Sequence, residues 1–266
     1  MTTFDRARQT AGRRLPFLRW SVIRTGLGMR RLLREGRVGD GREEALADFV
    51  VGEARAGDLD DAIRAVDEFC YRQSAMMNVG DEKGAILDAA VQQCAPHRLL
   101  ELGTYCGYSA LRIARTMPAD AHLWTIELNA ANADVARRIW THAGVADRIT
   151  VLVGSLGDGG DTMVALRTAH GFVAGDLDFV FLDHNKDVYL PDLQRLMGAG
   201  WLHPGSVVVA DNVRVPGAPD YLAHMRAEEG RRWRTVEHST HVEYQSLVRD
   251  LVLESTYLGD EPAPSG

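Results

Sequence analysis

Residues 177–188 read LDFVFLDHNKDV, an apolar run that stops abruptly in Asp183-His184-Asn185-Lys186-Asp187. Lys186 is one of two lysines in a chain whose Lys and Arg together number 30, the other being Lys83. Arginine keeps its proton in proteins, whereas lysine gives it up when a neighbouring cation lowers its pKa. Lys186 is therefore a candidate base for a substrate hydroxyl. A surface lysine paired with Asp187 would be the ordinary reading in a lysine-rich chain, which this is not. A second apolar run ends in Asp211-Asn212. Asp183, Asp211 and Asn212 offer two carboxylates and an amide oxygen with no His or Cys set, which suits a hard cation such as Mg²⁺. Taken alone, Asp211-Asn212 also fits the start of a turn before Pro216-Gly217.

The stretch ELGTYCG (101–107) is a glycine turn feeding a helix, without the GxGxxG of a dinucleotide site. Glu101 places a negative charge where a dinucleotide would put its pyrophosphate, so it opposes phosphate and favours a cation. S-adenosylmethionine carries an ammonium and a sulfonium and no phosphate. Glu127 lies 24 residues past Gly103, where an acid can hold both hydroxyls of a ribose. That placement serves NAD equally well, and each glycine or acid taken singly also reads as a turn or a solvated helix start.

These residues need a scaffold that gathers strand ends. Helical periodicity runs through Glu43–Val51, Asp58–Tyr71 and Glu82–Cys94. After Pro96, short apolar runs (Leu99–Leu102, Leu123–Ile126, Ile149–Val153, Phe179–Leu182, Val207–Ala210) alternate with helical segments at 107–117, 130–143, 158–169 and 187–197. Such runs are parallel strands buried on both faces. Thr235–Glu237 and Tyr244–Leu253 read as an antiparallel finish. The fold class is a doubly wound α/β domain with helices in front, and ligands of such sheets sit at the carboxyl ends of the strands. Every strand exit here carries a polar or glycine-rich group: 101–107, Glu127, Gly154-Ser155, Asp183–Lys186 and Asp211-Asn212.

The net charge of -7 divides unevenly, since residues 1–38 hold ten arginines against Asp5 and Glu35. The remaining body is strongly acidic, which argues against nucleic acid as a partner. Residues 1–39 form an Arg-rich extension, read as a partner-bound helix, a lipid-touching amphipathic helix or a transit peptide. Residues 40–258 form the folded domain, and 259–266 a disordered tail. Cys70, Cys94 and Cys106 make no metal spacing and no even disulfide set, so a reduced, cytoplasmic setting is expected; membrane-surface contact through the basic N-terminus belongs to the second of those three readings. Arg19 and Arg24 interrupt the one candidate membrane span.

The chain from about residue 40 to 258 closely resembles catechol O-methyltransferase. The matching segments are AMMNVGDEKG (75–84), LLELGTYCGYSALRIAR (99–115), VFLDHNKDVYLPD (180–192), VVVADNVRVPGAPDYLAHMR (207–226) and HVEY (241–244). The resemblance implies the class I methyltransferase fold, a mostly parallel seven-stranded sheet whose seventh strand is antiparallel. It implies S-adenosylmethionine as donor, Mg²⁺ on Asp183, Asp211 and Asn212, Lys186 as base and Glu243 holding the second hydroxyl of a catechol. It maps donor contacts onto Met77, Val79, Glu101, Gly103, Tyr105, Ser109, Glu127, Leu128, Ser155, Asp183 and His184, and acceptor contacts onto Asn185, Lys186, Asn212, Pro216 and Glu243.

Departures bear on the acceptor. Ala75 and Asn185 stand where mammalian members carry tryptophans walling the ring, and Leu156-Gly157 replaces a serine-glutamine pair that reaches the adenine. The expected reaction is Mg²⁺-dependent methyl transfer to a catechol, with caffeoyl or flavonoid vicinal diphenols as the alternative acceptors. A nicotinamide-dependent oxidoreductase is the different-class alternative, opposed by Glu101 and the missing GxGxxG. A non-catalytic cofactor-binding protein is opposed by Lys186 and the full metal-ligand set.

Overall fold

The computed structural model describes residues 36–244 and 247–260. The Arg-rich segment up to residue 35 and the tail from 261 lie outside these residues. Among the described residues three helices come first: α1 (Arg42–Glu53), α2 (Leu59–Arg72) and α3 (Gly80–Cys94). There follow β1 (Arg98–Leu102), α4 (Tyr108–Thr116), β2 (His122–Glu127), α5 (Ala130–Ala143), β3 (Ile149–Val153), α6 (Asp161–His170) and β4 (Leu177–Leu182). The described residues end with α7 (Tyr189–Gly198), β5 (Leu202–Ala210), α8 (Pro219–Ala227), β6 (Trp233–His241) and β7 (Arg249–Tyr257).

The seven strands lie in the order β3-β2-β1-β4-β5-β7-β6, with β7 antiparallel to both of its neighbours. The first five pair in parallel. Alternation along each strand feeds two cores at once: Phe179 and Phe181 pack on one face, Val180 and Leu182 on the other. Burial on both faces turns an alternating strand into an unbroken apolar run, which is why those segments are so legible.

Where expectation and structure differ, the cause is local. Residues 158–160 do not join α6, because the Asp158 carboxylate accepts the amides of Gly160 and Thr162 and forms the turn before it. The final strand begins at Arg249 rather than Tyr244, since Tyr244 adopts φ 55° and packs its ring edge-on against Tyr71. Helix α8, not expected from the sequence, starts on Pro219 and buries only Tyr221 and Met225, too few positions for a clear period. Among the described residues no helix is long and apolar enough to cross a membrane.

Candidate active site

Register brings the functional strand exits side by side. Leu182 pairs with Ala210 and with Leu102, so Asp183, Asp211 and the Gly103 turn leave the sheet at one level. The amide of Asp183 donates to Leu102 O at 2.9 Å and that of Asp211 to Leu182 O at 3.0 Å. Gly103 sits at φ 103°, and a Cβ there would collide with the Asp183 carbonyl, so the two exits touch only because residue 103 is glycine. Gly107 has a similar reason: Trp140, whose Nε1–H donates to Gly107 O at 3.0 Å, occupies the space a side chain would need.

The β1 and β2 exits form one half of the site. Glu101 is fully buried, with one carboxylate oxygen accepting the Ser109 hydroxyl and the other that of Thr125 at 2.6 Å. Burial pushes Glu101 up to about 7, against the pull of those two hydroxyls. The Glu127 carboxylate is held from two sides, by the Tyr105 amide at 2.7 Å and by the Asn129 amide at 2.9 Å and Asn132 at 3.2 Å. Burial also raises Glu127, opposed by these donors. Tyr105 reaches its position through φ 47°, and its hydroxyl lies 3.2 Å from Glu43. Around this half, Met77 and Leu128 are exposed, Ser155 is half-buried at the β3 exit and Val79 is buried at the start of α3.

The β4 and β5 exits form the other half. Lys186 opens a short turn, Lys186–Val188, capped by the Asn185 side chain, which accepts the Asp187 amide at 3.1 Å. The Lys186 ammonium donates to Asp183 at 2.9 Å and to the Tyr189 hydroxyl at 2.6 Å. Tyr189 is buried and its hydroxyl faces the carbonyls of Leu182 at 2.7 Å and Asp211 at 3.1 Å, tying base, β4 and β5 together. His184 donates from Nε2 to Asp192 at 2.8 Å; burial lowers its pKa, which favours the neutral ring, and Nδ1 is a buried acceptor with no partner among the described residues. At the Leu156-Gly157 departure, the Arg195 guanidinium stands 3.6 Å from where a Cβ on Gly157 would lie.

Asn212 sits at φ 53° and turns its amide nitrogen toward Glu243 at 2.9 Å and Asp250 at 2.8 Å. Its oxygen is therefore the end available to a cation. Asp211 is fully buried; one carboxylate oxygen pairs with Lys83 at 2.8 Å and the other, Oδ2, has no hydrogen-bond partner among the described residues. Burial, opposed by Lys83 and reinforced by Asp183 and Glu243, drives the Asp211 carboxyl above the usual range. Glu243 and Asp250 also pair with Lys83. In this cluster the carboxyl groups of Asp183, Asp211, Glu243 and Asp250 face the ammonium groups of Lys83 and Lys186. With all six charged, two negative charges are left over, the charge of one divalent ion. An unpartnered carboxylate oxygen and a correctly turned amide oxygen are the donors a hard cation takes, so the residues fit Mg²⁺.

A family model described as O-methyltransferase matches residues 55–230. The chain belongs to this family. It is an S-adenosylmethionine-dependent O-methyltransferase of the class I fold. The O-methyltransferase is 60% identical to a "Probable O-methyltransferase" of Mycobacterium tuberculosis over 87% of this chain and 99% of that protein. It is 41% identical to "Catechol O-methyltransferase B" of Danio rerio, covering 82% of this chain and 80% of the relative. Among solved structures it resembles the Streptomyces achromogenes O-methyltransferase TomG, involved in tomaymycin synthesis and solved with SAM. There the TM-score is 0.59 at 27% identity, over 76% of this chain and 89% of that one.

The structure gathers Asp183, Lys186, Asp211, Asn212 and Glu243 into one hydrogen-bonded cluster, and Glu101, Ser109, Tyr105 and Glu127 into another across Gly103. Pro216 is exposed just beyond Asn212. Sequence reasoning missed Lys83, Tyr189 and Asp250 in this O-methyltransferase. Only Lys83 left a signal, as the second lysine of an arginine-rich chain.

Proposed function

We propose that the protein transfers the methyl group of S-adenosylmethionine to one hydroxyl of a catechol-type acceptor, with Mg²⁺ held by Asp183, Asp211 and Asn212. The unpartnered Oδ2 of Asp211, beside a lysine and a glutamate aimed at the same place, carries this reading. When bound, the ion would orient two adjacent hydroxyls and stabilise a phenolate. Lys186, in its neutral form after giving its own proton to solvent, takes the proton of one hydroxyl at Nζ. Glu243 engages Lys83 and Asn212 through Oε1, which leaves Oε2 to accept the hydrogen bond of the other hydroxyl. The methyl group then passes to the phenolate oxygen as its bond to sulfur breaks, leaving S-adenosylhomocysteine. In this reading Glu127 takes the ribose hydroxyls, Glu101 the ammonium, and the His184 Nδ1 the amine of the adenine.

Ala75 and the exposed Asn185, whose amide is spent on its own turn, supply no aromatic wall. That favours larger vicinal diphenols of caffeoyl or flavonoid type as a second reading. The test is incubation with labelled S-adenosylmethionine and a panel of catechols, caffeoyl esters and flavonoids, with and without EDTA. Transfer to vicinal diphenols that EDTA abolishes is the expected result. No transfer to any of them in Mg²⁺ would sink the proposal.

Glu101 gives the donor's affinity a pH dependence. With the free protein's carboxyl near 7, donor binding below that pH must first expel a proton, because the ammonium needs the carboxylate form. Affinity for S-adenosylmethionine should therefore fall by up to about tenfold per unit as pH drops below 7 and level off above it. Calorimetric titration from pH 5.5 to 8.5 checks this. Glu101→Gln should bind more weakly at pH 8 and lose the slope; a slope unchanged in that variant would acquit Glu101.

A further inference from the structure

Lys83 lies on the first turn of α3, in the run Gly80-Asp-Glu-Lys83, yet it is 1% exposed. Its ammonium touches three carboxylates from three separate places in the fold: Asp211 after β5 at 2.8 Å, Asp250 in β7 at 3.2 Å, and Glu243 in the β6–β7 connection. An ammonium has three donors, and three carboxylates receive them. The planar fork of an arginine could not converge on three oxygens arranged in this way. Ligand atoms of Asp211, Glu243 and Asp250 lie within 4.8 Å of one another, spacing that could hold a metal ion of their own. The lysine occupies that place.

We propose that Lys83 is a built-in cation, which takes the position of a second metal ion, limits the site to one divalent ion and positions Glu243. This rests on the metal reading proposed above. The geometry supports each part. Asp211 is shared: Oδ1 goes to Lys83 and Oδ2 is unpartnered, so one carboxylate separates a fixed charge from an exchangeable one. Glu243 is fastened at Oε1 by Lys83 and Asn212 together, and its Cβ and Cα lie 3.4 and 3.6 Å from where a Cβ on Gly80 would stand, where the chain enters α3. Asp250 accepts from Lys83, from Asn212 and from the amide of Val215 at 3.0 Å, so the same anion anchors the turn that carries Asn212. Without the ammonium, the two buried carboxylates of Asp211 and Asp250 and the partly exposed Glu243 would face one another, and Glu243 would lose one of two donors that aim it. Lys83 is thus a positioning residue, acting through Glu243 and Asp211.

Mn²⁺ is the probe, counted by electron paramagnetic resonance of the free ion. The wild-type protein should bind one Mn²⁺ per chain, and Lys83→Ala, which opens the space and removes the charge, should bind two. The second ion should broaden the bound signal by spin coupling through the shared Asp211. One ion in both proteins overturns the proposal while leaving the metal reading intact; no ion in the wild type sinks the metal reading itself. If Lys83→Ala does not fold, Lys83→Ser, which also removes the charge but leaves a hydroxyl donor and all three carboxylates, is expected to bind two as well. Lys83→Met, of similar length but neutral, tests positioning separately. Its KM for the diphenol should rise at least tenfold while its affinity for S-adenosylmethionine stays within twofold. An unchanged diphenol KM, or equal loss for both substrates, would show that Lys83 does not aim Glu243.

Discussion

Lys186→Arg should bind S-adenosylmethionine as the wild type does and lose turnover by about 10²- to 10⁴-fold, the usual worth of a positioned general base. The substitution keeps a positive charge beside Asp183 and removes only the ability to exist neutral. Lys186 is well suited to the test, because its ammonium is placed by two fixed partners, Asp183 at 2.9 Å and the Tyr189 hydroxyl at 2.6 Å. Tyr189 is itself anchored by the Leu182 and Asp211 carbonyls, so the base cannot drift far without unsatisfying a buried hydroxyl. Lys186→Met, which lacks charge and base alike, should lose turnover to a similar extent. Donor affinity by calorimetry and single-turnover methyl transfer separate binding from chemistry. Turnover of Lys186→Arg within tenfold of wild type would show that another group takes the proton.

The residues that such experiments address differ in how readable they were. Asp183, Lys186 and Asp211 announce themselves because a parallel strand buried on both faces is an unbroken apolar run, and whatever ends it stands at the ligand edge of the sheet. Gly103 was visible as a turn, but its necessity was not: the collision that excludes a side chain is with Asp183, on another strand. Lys83 was hidden more deeply. In sequence it follows Asp81 and Glu82 on a helix start, a pattern that reads as a solvated first turn. What makes it structural is three acids, two of them 160 and 167 positions away. Tyr189 reads as an aromatic at a helix start, and its role appears only when the β4 and β5 exits are adjacent. Local pattern reveals which element ends where; it does not reveal which buried charges meet. Asp250 shows the same limit from the other side, since an acid at the start of a strand that also carries Arg249 and Glu254 is ambiguous until Lys83 and Asn212 are seen beside it.

Asp211→Asn should weaken Mn²⁺ or Mg²⁺ binding by more than about 100-fold, beyond the usual 10- to 100-fold loss from an outer-shell change. The reason is steric as well as electrostatic. The native carboxylate presents Oδ1 to Lys83 and Oδ2 to the cation position. An amide in its place must choose, and a buried ammonium at 2.8 Å admits only the oxygen. The NH₂ group is then forced toward the position a divalent ion would take, where its hydrogens repel it. Folding should survive, because Lys83 keeps Glu243 and Asp250 as counter-charges. A near-normal thermal unfolding curve with lost metal binding is the expected pair of results. Retained S-adenosylmethionine affinity would localise the defect to the metal half of the site. Mn²⁺ affinity within threefold of wild type would mean that the ion does not bind at Asp211 at all. The metal reading would then have to be withdrawn, together with the role assigned to the Asn212 amide oxygen, whose orientation depends on the same buried acids.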